Sequence, residues 1–224
     1  MTWEQQKENF FNFILKNNVI GFFDNPLQLK SGRQSHWYVN WRNIAEDVFL
    51  IDQLTEFIIS FVKYLKLKPT CFYGVPEGAT KLGIILQYKW AFYNKDIKPG
   101  MFCLTMGRGK PKDHGDIKDK FFLGYPKGDV VIIEDVTTTG NSLIETIDLL
   151  SKMNIKILAT IGLTNRNEIR DDGRSVIEAI QSKKISYYAM SNALELLPRL
   201  NPPQNIKNHI IEYFNKYGEQ KIEF

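Results

Sequence analysis

From residue 70 onward, the chain alternates between short, uninterrupted apolar runs and segments with helical spacing. The predicted strands are TCFYGV, MFCLTM, DVVIIED, IKILATIGLTN and ISYYAM. Strands that are apolar along their whole length are buried on both faces, so this order predicts an α/β fold with a parallel sheet flanked by helices. Ligands of such folds bind at the carboxyl ends of the strands. We therefore expect the functional edge at the loops after Gly74, Glu134 and Thr164.

The segments outside this alternation predict helices and a hairpin. Apolar residues recur at helical spacing in three of them, residues 3–18, 45–67 and 203–218. The last should form a surface helix. Residues 27–43 alternate on both sides of Ser31-Gly32, which suggests a hairpin or two short extended segments. The sequence shows no linker or repeat, so we expect a single domain over residues 1–224.

Composition and charge exclude several classes of protein. The 224 residues are 43% apolar and 24% charged, as in an ordinary globular protein. A net charge of +4 without a basic stripe does not suggest a nucleic-acid partner. Charged residues interrupt every long apolar stretch, and the N-terminus lacks a signal-peptide pattern, so we expect a cytoplasmic protein that does not span a membrane. Cys71 and Cys103, each in a predicted strand, should be buried thiols rather than metal ligands or a disulfide.

Residues 130–142, VVIIEDVTTTGNS, join a predicted strand to a predicted helix. Unpaired N-H groups and the positive dipole end make a helix N-terminus a natural phosphate cradle, to which the threonine hydroxyls add donors. Glu134 and Asp135 would repel a phosphate, so they should face sugar hydroxyls or a cation. A capped helix with an accidental acidic pair remains the alternative. Neither a P-loop lysine nor a dinucleotide fingerprint is present.

Positive charge is concentrated in residues 107–120, GRGKPKDHGDIKDK, which we call the basic loop. Its glycines and charges are typical of a cationic mobile loop that closes over an anion. Closure would expel water and strengthen each electrostatic contact, and opening would release charged products. On composition alone, His114 could simply be solvated.

Residues 130–142 resemble the signature of type I phosphoribosyltransferases, in which an acidic pair holds the ribose of phosphoribosyl pyrophosphate (PRPP) and a Thr/Gly loop holds its 5'-phosphate. LKSGRQS at 29–35 and RGKPKDHG at 108–115 resemble the N-terminal hood and the mobile loop of the orotate branch. NRNE at 165–168 resembles its carboxylate-binding segment. The resemblance covers about residues 27 to 170 and implies the type I phosphoribosyltransferase fold, with a hood formed by residues 1–45.

The activity that this resemblance implies is displacement of pyrophosphate from PRPP by orotate, which gives orotidine 5'-monophosphate for pyrimidine synthesis. Preorganised charges should stabilise the cationic sugar and the anionic leaving group of the transition state. The implied orotate-binding residues are Lys30, Tyr38, Val39, Thr138 and Arg166. The implied catalytic residues are Arg108, Lys112, His114 and Asp135. The implied PRPP-binding residues are Lys30, Glu77, Gly78, Arg108, Lys112, His114, Glu134, Asp135, Val136, Thr137, Thr138, Thr139, Gly140, Asn141 and Ser142.

The resemblance also implies a cofactor and a quaternary arrangement. Magnesium should bridge the pyrophosphate oxygens and the ribose hydroxyls, held mainly through PRPP, so no residue is assigned as a direct metal ligand. The basic loop should reach into the site of a neighbouring subunit, which implies a homodimer with two composite sites.

Several positions depart from the orotate pattern. Glu134 replaces an aspartate, Glu77 and Gly78 occupy positions where tyrosine and lysine are common, and Gly109 replaces a second basic residue. Two other functions therefore stay open: a phosphoribosyltransferase for another base, or a PRPP-binding regulator without catalysis. From composition alone, Lys30 and Arg33 beside their turn, and Arg166 in its loop, could be solvated surface residues, and Tyr38 could serve only strand packing.

Overall fold

The computed structural model describes residues 3–93 and 97–224. Its strands are β1 (Ile20–Gln28), β2 (Gln34–Val39), β3 (Cys71–Gly74), β4 (Met106–Gly107), β5 (Phe122–Leu123), β6 (Asp129–Thr137), β7 (Lys156–Asn165) and β8 (Tyr187–Asn192). Its helices are α1 (Trp3–Lys16), α2 (Val48–Tyr64), α3 (Thr80–Phe92), α4 (Ile117–Phe121), α5 (Asn141–Lys152), α6 (Val176–Gln181), α7 (Ala193–Leu200) and α8 (Gln204–Tyr217). A short 3-10 turn covers Ile44–Glu46.

A four-stranded parallel sheet in the order β3-β6-β7-β8 forms the centre of the molecule. Its strands are buried on both faces because their apolar runs are continuous, as in Val130 to Ile133. One face packs on a large apolar cluster that includes residues of α1, α2 and α8, and the other packs on a smaller cluster with α5 and α6. This confirms the predicted α/β architecture.

The predicted hairpin is present but longer than expected. β1 and β2 pair in antiparallel fashion from Ile20 opposite Val39 to Gln28 opposite Gln34. Gly32, in the turn, has a φ of 82°, which a glycine adopts without strain. The indole Nε1 of Trp41 donates to Thr164 Oγ1 at 3.0 Å, so the end of the hairpin is tied to the edge of the sheet. Residues 29–42 consequently lie beside the carboxyl ends of the strands.

One strand prediction was wrong. Of MFCLTM, only Met106 is in a strand, and β4 pairs antiparallel with β5 outside the main sheet. Cys103 is therefore half-buried in an irregular segment, whereas Cys71 is buried in β3 as expected. The reason is that Met101 and Leu104 are surface residues, and a short apolar run has no periodicity that separates an exposed segment from a core strand.

The final helix is more than a surface element. Ile206, Ile210 and Phe214 of α8 are buried, and the helix packs against β1 and β2. Residues of α1 and β2 share their apolar cluster with the sheet, and the division into a hood and a main body stays a prediction. Within residues 3–93 and 97–224, no helix is both long and apolar enough to cross a bilayer.

Candidate active site

The loop between β6 and α5 forms one side of the site. Gly140 ends it with a φ of 68°, and a Cβ at this position would lie 2.9 Å from Val176 Cγ1, so only glycine fits. The loop and the N-terminus of α5 border a cavity of about 240 Å³. Its lining residues are Lys30, Ser31, Glu134, Val136, Thr138, Thr139, Gly140, Asn141, Ser142 and Glu145. Unpaired helix N-H groups and hydroxyls at one cavity form a suitable environment for a phosphate.

Arg170 holds this loop in place. Its Nη1 donates to the carbonyl oxygen of Thr139 and to Asn141 Oδ1, the latter at 3.1 Å. No local sequence pattern indicates Arg170, because it follows β7 rather than β6 and shares no motif with the loop. Its contacts fix the conformation of the backbone that a phosphate would contact.

The acidic pair lies at the end of β6. Glu134 is only 6% exposed, and burial, reinforced by the neighbouring charge of Asp135, raises the pKa of Glu134 well above its ordinary value. A glutamate in its neutral form can donate as well as accept a hydrogen bond. Asp135 is half-buried, and both residues line a second cavity. The pair can therefore offer sugar hydroxyls both a donor and acceptors.

This second cavity, of about 180 Å³, lies between the hairpin and the sheet edge. Its lining residues are Leu29, Lys30, Tyr38, Val39, Asn40, Arg42, Pro76, Glu77, Gly78, Glu134, Asp135, Val136, Thr138, Ser142 and Arg166. Lys30 belongs to both cavities, and its Nζ donates to Ser142 Oγ at 2.9 Å. All five residues predicted to bind orotate therefore border one cavity. Asn40, Arg42 and Pro76 are lining residues that the motifs did not predict.

Arg166 is not a surface residue, since its side chain is 1% exposed. Its Nε donates to Glu168 Oε1 at 2.6 Å, its Nη2 to Ser35 Oγ at 3.0 Å, and its Nη1 to the carbonyl oxygen of Trp37 at 3.4 Å. A guanidinium has five N-H bonds, so these three contacts leave one N-H on each terminal nitrogen unused. The guanidinium carbon lies 3.6 Å from the centre of the Trp37 ring. Arg166 is thus a fixed cation that can still donate two hydrogen bonds.

The unexpected residues Gly78 and Gly109 both lie against carboxylates. A Cβ on Gly78 would lie 2.2 Å from Asp135 Oδ2, and a Cβ on Gly109 would lie 2.4 Å from Glu77 Oε1. Neither position can hold a side chain unless the carboxylate moves. A side chain at either position would therefore displace the neighbouring carboxylate.

The basic loop does not line either cavity, as Arg108, Lys112 and His114 are missing from both linings. Within the loop, Arg108 Nε donates to the Asp119 carbonyl oxygen at 3.1 Å, and Lys112 N donates to the Lys120 carbonyl oxygen at 3.0 Å. Lys112 and His114 are exposed. The backbone of the basic loop lies beside the second cavity, since Gly109 is next to Glu77, but the side chains predicted to bind the leaving group line neither cavity, and the catalytic roles stay predictions.

Comparisons with known proteins agree with this arrangement. No protein-family model matches the chain. The orotate phosphoribosyltransferase of Lachnoclostridium phytofermentans is 30% identical over an alignment 237 residues long, gaps included. The alignment covers 96% of this chain and 98% of the relative. That of Clostridium acetobutylicum is 27% identical over 227 residues, covering 96% and 99%. In fold, the chain is similar to the crystal structure of orotate phosphoribosyltransferase from Francisella tularensis, with a TM-score of 0.67, 24% identity and coverage of 94% and 99%.

Proposed function

The chain belongs to the orotate phosphoribosyltransferase family, and we infer that it transfers the phosphoribosyl group of PRPP to orotate, giving orotidine 5'-monophosphate and pyrophosphate. This reaction is a step of pyrimidine nucleotide synthesis. One observation carries the assignment of roles: a single cavity is bordered by the acidic pair, by Thr138 and Ser142 of the phosphate side, and by Arg166.

PRPP would bind with its 5'-phosphate at the loop of residues 137–142 and its ribose hydroxyls at Glu134 and Asp135. The two cavities adjoin at Lys30, Glu134 and Thr138, as the two ends of one ligand require. Binding at both ends would fix the sugar carbon in front of the acceptor. Such positioning removes much of the entropic barrier to reaction.

Orotate would bind between the hairpin and the sheet edge. Its carboxylate would accept hydrogen bonds from the two remaining N-H groups of Arg166. These groups are preorganised because Glu168 and Ser35 already hold the side chain. Tyr38 and Val39 would contact the ring, and Lys30 and Thr138 would lie between the base and PRPP. An acidic base gains from this cation, and uracil does not.

The leaving group needs positive charge, which Arg108, Lys112 and His114 would supply. Because they border neither cavity, we propose that the basic loop serves the site of a second subunit in a homodimer. Tyr88 of α3, together with Ile97 and Leu104 of the segment that leads into the basic loop, forms an exposed apolar surface beside a cavity. Such a surface suits burial against a second copy of the chain. A cytoplasmic location likewise stays a prediction.

Magnesium is the proposed cofactor. Within the described residues, no group of three or more His, Cys, Asp or Glu side chains could hold a metal ion. Asp135 at the cavity nevertheless suits an ion that keeps a single protein carboxylate and takes its remaining ligands from PRPP and water. Bound in this way, magnesium would neutralise charge on the pyrophosphate oxygens.

Acceptor specificity tests this function. The protein is incubated with PRPP and magnesium, separately with orotate, uracil, hypoxanthine and adenine, and nucleotide products are separated by chromatography. We expect orotidine 5'-monophosphate only from orotate, because only orotate carries a carboxylate for Arg166. Turnover of another base instead of orotate would assign a different substrate, and PRPP binding without turnover of any base would favour a regulator.

A further inference from the structure

Glu168 lies fully buried between two arginines. Its Oε1 accepts a hydrogen bond from Arg166 Nε at 2.6 Å, and its Oε2 accepts one from Arg33 Nη1 at 2.8 Å. The side chains are 0% exposed for Glu168, 1% for Arg166 and 7% for Arg33. Two guanidinium groups share one carboxylate, so these three residues, the buried triad, carry one excess positive charge.

The triad joins separate parts of the fold. Arg33 belongs to the hairpin turn, and Arg166 and Glu168 follow β7. Arg33 is held further by the carbonyl oxygen of Ile169 at 2.7 Å, by Asp171 Oδ1 at 2.9 Å, and by the ring of Tyr217, whose centre is 4.6 Å away. The side chain of Asp171 is 86% exposed, so water screens its charge more strongly than that of Glu168. Asp171 therefore offsets the excess charge only in part.

Excess charge in a protein interior is unfavourable without a counter-ion. Arg166 and Glu168 alone would form a neutral pair, which attracts an anion only weakly. Arg33 changes this balance by sharing the carboxylate. Of the three residues, Arg166 alone borders the second cavity, so an anion bound there can compensate the excess charge.

We propose that Arg33 and Glu168 are positioning residues for recognition of the base. Glu168 fixes the direction of the Arg166 guanidinium. Arg33 keeps the buried triad cationic, so that the site selects a base with a carboxylate. This inference rests on the proposed function, in which Arg166 holds the orotate carboxylate. Neither Arg33 nor Glu168 borders the cavity, so both act through Arg166.

The test compares two ligands that differ only in the carboxylate, orotidine and uridine 5'-monophosphate. Calorimetry gives the Kd of each for the wild type and for Arg33→Gln, and the Kd ratio of uridine to orotidine monophosphate measures carboxylate recognition. We expect Arg33→Gln to reduce this ratio about tenfold, because it removes one positive charge near the ligand carboxylate, and Arg33→Lys to restore most of it. Uridine 5'-monophosphate should bind both variants as it binds the wild type, whereas a distorted site would weaken both ligands.

Arg199→Gln is the matched control, because it removes an arginine from the exposed pair with Glu8. It should leave the ratio unchanged. Asp171→Asn tests the same charge argument at an exposed residue, even if Arg33→Gln does not fold. Without the negative charge of Asp171, the positive charge of the buried triad is offset less. The Kd ratio of uridine to orotidine monophosphate should then increase about twofold.

The outcomes separate the two hypotheses. A wild type that binds both nucleotides equally would contradict the role of Arg166 in the proposed function. If the wild type prefers orotidine 5'-monophosphate but Arg33→Gln retains the full preference, the role of Arg33 is wrong while that of Arg166 stands. An unchanged or reduced ratio in Asp171→Asn would also overturn the proposal.

Discussion

Gly78→Ala is the most informative single change at the site, because the added methyl group would lie 2.2 Å from Asp135 Oδ2 and 2.5 Å from Asp135 Cγ. Ordinary contacts between such atoms are about 3.5 Å, so the carboxylate must move by roughly 1 Å. A misplacement of that size can lower activity about 100-fold, which corresponds to about 2.7 kcal/mol of transition-state stabilisation. We expect kcat/KM for PRPP to fall by about this factor while the KM for orotate changes little.

The assay follows orotate absorbance at varied PRPP, and thermal unfolding of each variant checks the fold. Gly21→Ala is the matched control, because its Cβ would meet only the exposed Phe23 ring at 3.3 Å, which can shift. It should retain wild-type kinetics. If Gly78→Ala kept kcat/KM within twofold of the wild type, the position of Asp135 would not matter to PRPP, and the reasoning would fail.

Four further changes test individual roles. Arg166→Ala should raise the KM for orotate at least about 30-fold, the worth of a charge-assisted pair, with little change for PRPP; equal losses for both substrates in initial-rate kinetics would reject its assignment. Lys112→Ala should lower kcat at an unchanged melting temperature, and unchanged turnover would exclude the basic loop from the chemistry. Asp135→Asn should weaken PRPP binding in calorimetry, and an unaltered isotherm would remove the ribose assignment. Because the pKa of Glu134 is raised above its ordinary 4.5, its contribution to stability is complete below that pH and is lost as the pH rises through the raised pKa. In denaturant titrations, Glu134→Gln should therefore be more stable than the ligand-free wild type at alkaline pH but not at pH 4, and parallel curves would contradict this.

The sequence predicted the central sheet well, because continuous apolar strands such as Val130 to Ile133 have few alternative environments. It failed at residues 101–105, where apolar side chains lie on the surface. It also missed α6, although Ser175 and Glu178 form a capping box at its N-terminus. That signal was readable in the sequence, whereas the exposure of Leu104 depends on tertiary packing.

For the site, motifs identified the residues that contact the cavities better than those that support them. Glu134, Thr138 and Arg166 lie where strand ends meet, as the topology rule predicts. The burial of Arg33 against Glu168 joins residues 135 positions apart, and no local pattern indicates such a pairing. No local pattern indicates the contact of Arg170 with the loop between β6 and α5 either. Contacts between distant segments become visible only in the folded chain.

Transfer of the phosphoribosyl group of PRPP to orotate by this chain can be measured directly. The most direct measurement is the loss of orotate absorbance together with the pyrophosphate released, with PRPP and magnesium each omitted in turn. We expect one pyrophosphate for each orotate consumed, and no reaction when either PRPP or magnesium is absent. Orotate that persists in the complete mixture, under conditions in which PRPP binds, would contradict this function.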